Sequence, residues 1–349
     1  MTNTGTRAGA LAALLLCLPG AAASAQVLHK TLELRGFGTL GAVYNNDENL
    51  TFVGNLSQPR GASGGWSTRP DSLLGGQMQW RIDKQWEVML QGIVHHHYDD
   101  YQPRLTWAFA KYSPDPNLTL RAGRVGFDAY LEADSRHVGY GYLPIRQPVE
   151  YFGFLQLTHL DGVDLVYRRS LGDGILSFKA FAGIGDEKLV PKPGSEYDVT
   201  GIEVIGGYLH YRLGDLQLRA GFSHSELDKE YEAFQSLREQ LQASGLPALQ
   251  SLAQDLQVAG TDLDQFNVEI SWSSGPLQAQ LLYNRRHAET AALLDGYNVH
   301  GLLGYRFGSL TPYVAYARSD TRGAHRVTQL PPDDPINLAL NGVQSEQHT

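Results

Sequence analysis

The chain has 349 residues, is 42% hydrophobic and 19% charged, and carries a formal net charge of −9, with 38 glycines, 18 tyrosines and one cysteine. One cysteine excludes a disulfide framework and a cysteine-based metal site. After the first 25 residues no stretch approaches the 18 apolar residues of a helical membrane span, so any crossing of a bilayer must be made by strands.

Residues 1–25 contain one arginine, Arg7, then the apolar run Ala8–Leu18, then Ala23-Ser24-Ala25. This is the layout of a secretory signal cleaved before Gln26. Cys17 follows Leu14-Leu15-Leu16 rather than a small residue, which disfavours a lipid anchor.

Strands are expected near 31–44, 72–82, 85–97, 104–113, 118–126, 161–169, 175–184, 201–213, 216–224, 263–273, 276–286, 296–307 and 310–319. Several alternate cleanly. Leu216, Leu218, Ala220 and Phe222 share one face, and Gln217, Arg219 and Gly221 the other. Phe266, Val268, Ile270 and Trp272 likewise oppose Asn267, Glu269 and Ser271. Successive side chains of a strand point to opposite faces, so an apolar face against lipid and a polar face against water are implied. Tight turns, such as Pro114-Asp115-Pro116-Asn117, Gly214-Asp215 and Gly275-Pro276, alternate with long polar loops at 45–71, 127–160 and 225–261. That rhythm predicts an all-β transmembrane antiparallel β-barrel with short turns on one side of the membrane and long loops on the other. Aromatics at strand ends, among them Tyr44, Trp80, Trp86, Tyr112, Tyr167, Tyr211, Trp272, Tyr305 and Phe307, fit interfacial girdles.

The polar faces assign Arg35, Arg81, Arg104, Arg121, Arg168, Lys179, Arg212, Arg219, Arg286 and Arg306 to the lumen. The acids there are fewer: Glu33, Glu87, Asp164 and Glu269. Arg121 and Arg219 are expected at mid-wall and Arg168 nearer its turn. A basic lumen favours anions, although some of these cations could instead pair with lumen acids and brace the wall. If they do not, reversing Arg121 and Arg219 to Glu should change selectivity with little effect on expression. Loop 127–160 carries Asp128, Glu132, Asp134, Arg136, Arg146 and Glu150 together with four tyrosines. Its length marks it as functional or disordered, its aromatic content argues against disorder, and a constriction role follows.

His95-His96-His97 ends one strand and reads as a rim cluster without a metal, since metal catalysis needs three ligands in defined geometry. Segment 227–258 is helical. Tyr231, Phe234, Leu237 and Leu241, then Leu249, Leu252 and Leu256, recur at helical spacing, broken by Ser244-Gly245-Leu246-Pro247. It is a lid over the pore mouth, a contact for a partner, or a small self-packed hairpin with no transport role.

The layout, one strand, a loop, then hairpins with the longest early loop after the fifth strand, resembles the Gram-negative sixteen-stranded trimeric porins across most of 26–349. Pro148-Val149-Glu150-Tyr151-Phe152-Gly153 resembles the Pro-Glu-Phe-Gly tip of porin constriction loops, with Val149 and Tyr151 inserted. The resemblance implies an outer-membrane homotrimer in a lipid bilayer with lipopolysaccharide, a passive channel for small hydrophilic solutes, and no cofactor, metal, catalytic residue or nucleic-acid partner. The organisation expected is a signal peptide at 1–25, a pore domain at 26–319 with a helical insertion at 227–258, and a polar loop or truncated C-terminal part at 320–349. Thirteen strands of sixteen would leave roughly 45–60 residues wanting at the C-terminus; a smaller barrel is the alternative. The competing functional class is a barrel enzyme of phospholipase or protease type, for which Ser223-His224-Ser225 and Thr158-His159-Leu160-Asp161 are the nearest candidates, or a non-conducting structural or adhesin barrel.

Overall fold

A computed structural model describes residues 12–16, 32–55, 57–153, 157–192, 195–290, 295–322 and 346–348. The signal cleavage site, Cys17 and most of the 320–349 tail lie outside these residues. The expected long strands form thirteen consecutive elements: β1 (Leu32–Asn45), β2 (Leu73–Arg81), β3 (Trp86–His97), β4 (Asp100–Tyr112), β5 (Leu118–Gly126), β6 (His159–Leu171), β7 (Gly174–Ile184), β8 (Glu203–Leu213), β9 (Leu216–Leu227), β10 (Thr261–Ser274), β11 (Leu277–Ala288), β12 (Asp295–Tyr305) and β13 (Tyr313–Arg322). Each pairs antiparallel with the next in chain order. Two short strands flank this meander. Ala12–Leu16 pairs with the end of β1 and Glu346–His348 with the end of β13.

The tight turns follow from local chemistry. Gly172, Gly214, Gly275 and Gly308 have φ of +59°, +54°, +56° and +60°, a left-handed backbone that glycine adopts without penalty. Where glycine is absent, an aspartate closes the turn. Asp83 accepts from the Gln85 and Trp86 amides at 2.7 and 2.8 Å, and Asp115 from those of Asn117 and Leu118 at 2.8 and 3.1 Å.

The outer face is apolar and exposed, with Leu34, Leu74, Leu105, Val163, Leu209, Phe222, Phe266, Leu281, Leu303 and Val314 on it. In water such a surface would be costly; against hydrocarbon it costs nothing. Trp80, Trp86, Tyr167, Trp272, Tyr305 and Phe307 form a belt at the tight-turn end, where Trp86 pairs with Tyr112 and Tyr305 with Phe307 at ring separations of 4.6 and 4.5 Å.

The apolar core lies inside the wall, at the long-loop end. Loop 127–160 contributes Phe127, Tyr130, Tyr151, Phe152 and Leu157, and the wall contributes Leu160, Phe181 and Val204. The same cluster continues into α2 (Glu232–Ala243) and α3 (Pro247–Asp255) through Leu241, Leu249, Leu252 and Leu256. The helical hairpin therefore packs on itself. It also rests on the short hairpin Lys188–Lys192/Ser195–Asp198, where Tyr231 stacks on Tyr197 at 5.1 Å and Lys229 binds Asp198 at 2.8 Å.

Candidate functional site: the lumen and its loop

The loop crosses the inside of the sheet and touches both of its edges. Gly139 abuts Thr39 of β1. At the other edge, the Ile145 amide donates to the Tyr313 hydroxyl of β13 at 3.4 Å. The Pro148–Gly153 tip forms a short helix, α1 (Val149–Phe152), whose Glu150, Tyr151 and Phe152 are buried, packed on β12 and β13. The wall thus curls around the loop.

Most of the lumen cations expected from the alternation are held by carboxylates. Arg35 binds Glu33 at 2.7 Å, and Arg81 bridges Glu33 and Glu87 at 3.1 and 3.5 Å. Arg104 binds Glu187 at 3.0 Å and also touches His97. Arg121 grips Asp164 through Nε and Nη2, at 2.9 and 2.5 Å, the fork geometry that suits guanidinium and carboxylate. Lys179, 1% exposed, reaches Asp128 at 2.5 Å and Asp164 at 3.3 Å. Arg219 donates to the Asp128 carbonyl, approaches Glu269 at 3.5 Å and lies 3.8 Å from the Tyr208 ring centroid. Arg286 is half-buried on the inner face of β11, opposite Gln265.

Two of the expected cations differ. Among the described residues, Arg168 and Arg212 have no carboxylate partner within ion-pair reach; the nearest hydroxyl to Arg168 is Thr119 Oγ1, at 3.5 Å. Both line a cavity of about 470 Å³ between the inner wall of β4–β8 and the loop, with Lys111, Arg121, Lys179, Asp128 and Asp134. Arg306 is a correction. It stands one residue past β12, and its guanidinium donates to the Gly275 carbonyl at 3.3 Å. It fastens two turns together and does not line mid-wall.

The loop acids and bases mostly dock the loop. Asp128 takes Lys179 and the Tyr208 hydroxyl, the latter at 2.9 Å. Burial alone would raise its pKa, but Lys179 and Arg219 outweigh that and hold its carboxyl at about 2. Glu132 accepts from Gln147 and Gln280 at 2.9 and 2.8 Å, on a backbone with φ of +66°, a strained conformation for a residue with a Cβ. Arg136 caps the carbonyls of Ala133 and Leu157 at 2.7 and 3.2 Å, and burial draws its pKa down to about 10. Arg146 binds Asp71 at 3.1 Å and covers the Phe52 ring, tying loop 45–71 to the constriction. Glu269 accepts from the Leu131 amide at 2.9 Å and the Tyr151 hydroxyl at 3.0 Å, while Asn267 donates to the Ala129 carbonyl at 2.7 Å. The acids thus act through contacts with the wall. This overturns the expectation that Arg121 and Arg219 can be reversed without harm to folding, since each change would set a second carboxylate against a buried one.

Sequence reasoning missed Lys111. Arg104 and Lys111 have opposite parity on β4, so a regular strand would send them to opposite faces. A bulge at Thr106 shifts the pairing from Gln91↔Trp107 to Gly92↔Leu105. Both therefore face the lumen, and Lys111 reaches Glu87 at 3.3 Å. The one local hint is Pro103, since a proline inside a strand points to an edge or a bulge. Asp164, Glu187 and Tyr208 also matter through contacts that sequence alone could not pair.

Neither relay candidate forms a complete nucleophile–base–acid set among the described residues, although Thr158 Oγ1 meets His159 Nδ1 at 3.0 Å. Ser223 and Ser225 are buried on the inner face, whereas His224 points to the other face and pairs with Asp264 at 2.8 Å. Asp161 is engaged by Arg124 at 2.6 Å. His97 meets Glu187 at 3.3 Å, and His95 stacks near His97 and His137. Among the described residues no group of three histidine, cysteine, aspartate or glutamate side chains is placed to hold a metal ion.

No known family model matches the sequence, and no curated protein is significantly similar to it. Solved structures are. Salmonella typhi OmpF, in a complex with daunomycin, aligns at TM-score 0.53 and 13% identity over 85% of this chain and 81% of that one. Acinetobacter baumannii OccAB4 aligns at 0.45 and 10% identity, covering 84% of this chain and 81% of that one. The A. baumannii outer-membrane channel DcaP aligns at 0.44 and 10% identity, covering 83% and 92%. The OmpF likeness shows the fold: this chain is built as an outer-membrane porin-type β-barrel.

Proposed function

We propose that the protein is an outer-membrane porin, a passive diffusion channel for small hydrophilic solutes that prefers anions, and not an enzyme. Its surroundings are the lipid bilayer and lipopolysaccharide, and its assembly a homotrimer. The observation that carries the anion preference is the pair Arg168 and Arg212. They are left without carboxylates on the wall of a cavity beneath the loop, while the other cations around them are neutralised. In a narrow aqueous path, selectivity follows the charges that line it and not the charge of the whole chain. The experiment is conductance in planar bilayers followed by reversal potential under a KCl gradient. Conductance with a chloride preference is the expected result; absence of conductance from properly inserted protein would remove the channel reading, and a potassium preference the anion reading. A hydrolase reading has less support: the strand register sends Ser223 and His224 to opposite faces, and Asp161, the acid nearest the Thr158–His159 contact in sequence, is bound by Arg124.

A further inference from the structure

We propose that the cavity under the constriction loop is a saturable binding chamber for a small solute carrying a carboxylate or phosphate group, so that the channel holds its solute in transit and does not merely let it pass. This rests on the channel reading above and goes beyond it by naming a site and a ligand chemistry.

The volume of about 470 Å³ lies within the range of pockets that enclose small ligands. Its charges are unequal. Arg121 and Lys179 are balanced by Asp128 and Asp164, and Lys111 shares Glu87 with Arg81. Arg168 and Arg212 are left over. They belong to β6 and β8, the two strands that flank β7, where Arg168 pairs with Ser177 and Arg212 with Ile175. Two strand spacings across the sheet, about 10 Å, and a two-residue offset along it, about 7 Å, separate their backbones. Two arginine side chains can close that gap onto one oxyanion, with the Ser177 hydroxyl on the strand between them. Guanidinium is suited to this role because its fork matches the paired oxygens of carboxylate and phosphate.

The chamber has a floor and a roof. Arg168 and Arg212 stand near the tight turns that follow Leu171 and Leu213, so the basic end is the short-turn end. The roof is the loop, with Asp134. Burial and the neighbouring Asp128 charge raise the Asp134 pKa, which lessens the repulsion an incoming anion meets there.

The test uses the full chain in planar bilayers in KCl. Succinate or inorganic phosphate is added, with sorbitol as the neutral control, and block of the chloride current is followed against concentration. One or both anions should block saturably and sorbitol should not; which anion blocks more tightly assigns the source. In Arg168→Gln/Arg212→Gln the half-blocking concentration should rise by about tenfold or more, as expected for losing charge-assisted hydrogen bonds. Arg60→Gln, which alters an exposed loop pair with Asp99, should leave the block as it is. If the double variant fails to insert, Arg212→Gln alone should show the same direction. Current that varies linearly with either anion, block by sorbitol as strong as by the anions, or an unchanged half-blocking concentration in the variants would overturn the chamber. Conductance would survive those results, whereas the channel reading fails only if the inserted wild-type protein does not conduct.

Discussion

Arg121 and Arg168 stand on neighbouring strands, face the same lumen and line the same cavity, yet they do different work. Arg121 is locked onto Asp164 and belongs to a chain of contacts, Arg121–Asp164–Lys179–Asp128, that pins the root of the loop to the wall. Arg168 has no such partner. The difference teaches that a lumen charge counts toward selectivity only after its cross-strand neighbours have been subtracted. Ten basic residues against four acids suggested a strongly positive wall; among the described residues, pairing leaves Arg168 and Arg212 on the cavity wall without a carboxylate.

The comparison breaks most visibly at Lys179. Replacing it with Met would leave Asp128 and Asp164 buried without their shared cation, a loss of about 3–5 kcal/mol for a broken buried pair. The expected result is a lower midpoint in urea unfolding, followed by the shift in gel mobility, and a larger, noisier single-channel current as the loop detaches. A stable variant with wild-type current would mean that the loop does not depend on this chain of contacts.

Glu269→Gln is a milder form of the same attack. It keeps the shape but weakens the acceptor for the Leu131 amide and Tyr151 hydroxyl, which should cost about 1–3 kcal/mol in the same unfolding measurement.

Acid sharpens the comparison further. The Asp128 carboxyl is held below its ordinary value, at about 2. Its stabilising contribution is therefore complete above the unfolded carboxylate range and is lost as pH falls through the folded value. Protection of the Phe127 amide, which donates to the Thr158 carbonyl beside Asp128, from hydrogen exchange should fall between about pH 4 and pH 2, and Asp128→Asn should remove that dependence. At the other extreme, Arg35 is 65% exposed beside Glu33. Arg35→Gln should change stability by less than about 1 kcal/mol in the urea series, the ordinary yield of an exposed pair.

Much of this molecule is legible in its sequence, for a physical reason. A wall with lipid on one side and water on the other forces alternation, so all thirteen long strands and both faces of most of them can be read directly. The helices at 232–255 announce themselves by their spacing and by the Ser244–Pro247 break. What the sequence hides is anything set by register between strands. Arg121 finds Asp164 across 43 residues and Lys179 finds Asp128 across 51, and no local pattern records either meeting. The Thr106 bulge turned Lys111 inward with only Pro103 to hint at it, and Arg306 ran past its strand into a turn. Loop 127–160 was legible as a long loop with high aromatic content, but not the fact that its charges are spent on the wall.

The most direct test compares the two kinds of lumen cation in one experiment. Reversal potential under a KCl gradient is measured for the wild type, for Arg168→Gln/Arg212→Gln, and for Arg121→Gln/Asp164→Asn, which removes a paired cation together with its carboxylate. The account predicts chloride preference in the wild type, a clear shift toward potassium in the first variant and little shift in the second. A reversal potential unmoved by the loss of Arg168 and Arg212, or moved as far by the loss of the Arg121–Asp164 pair, would contradict it.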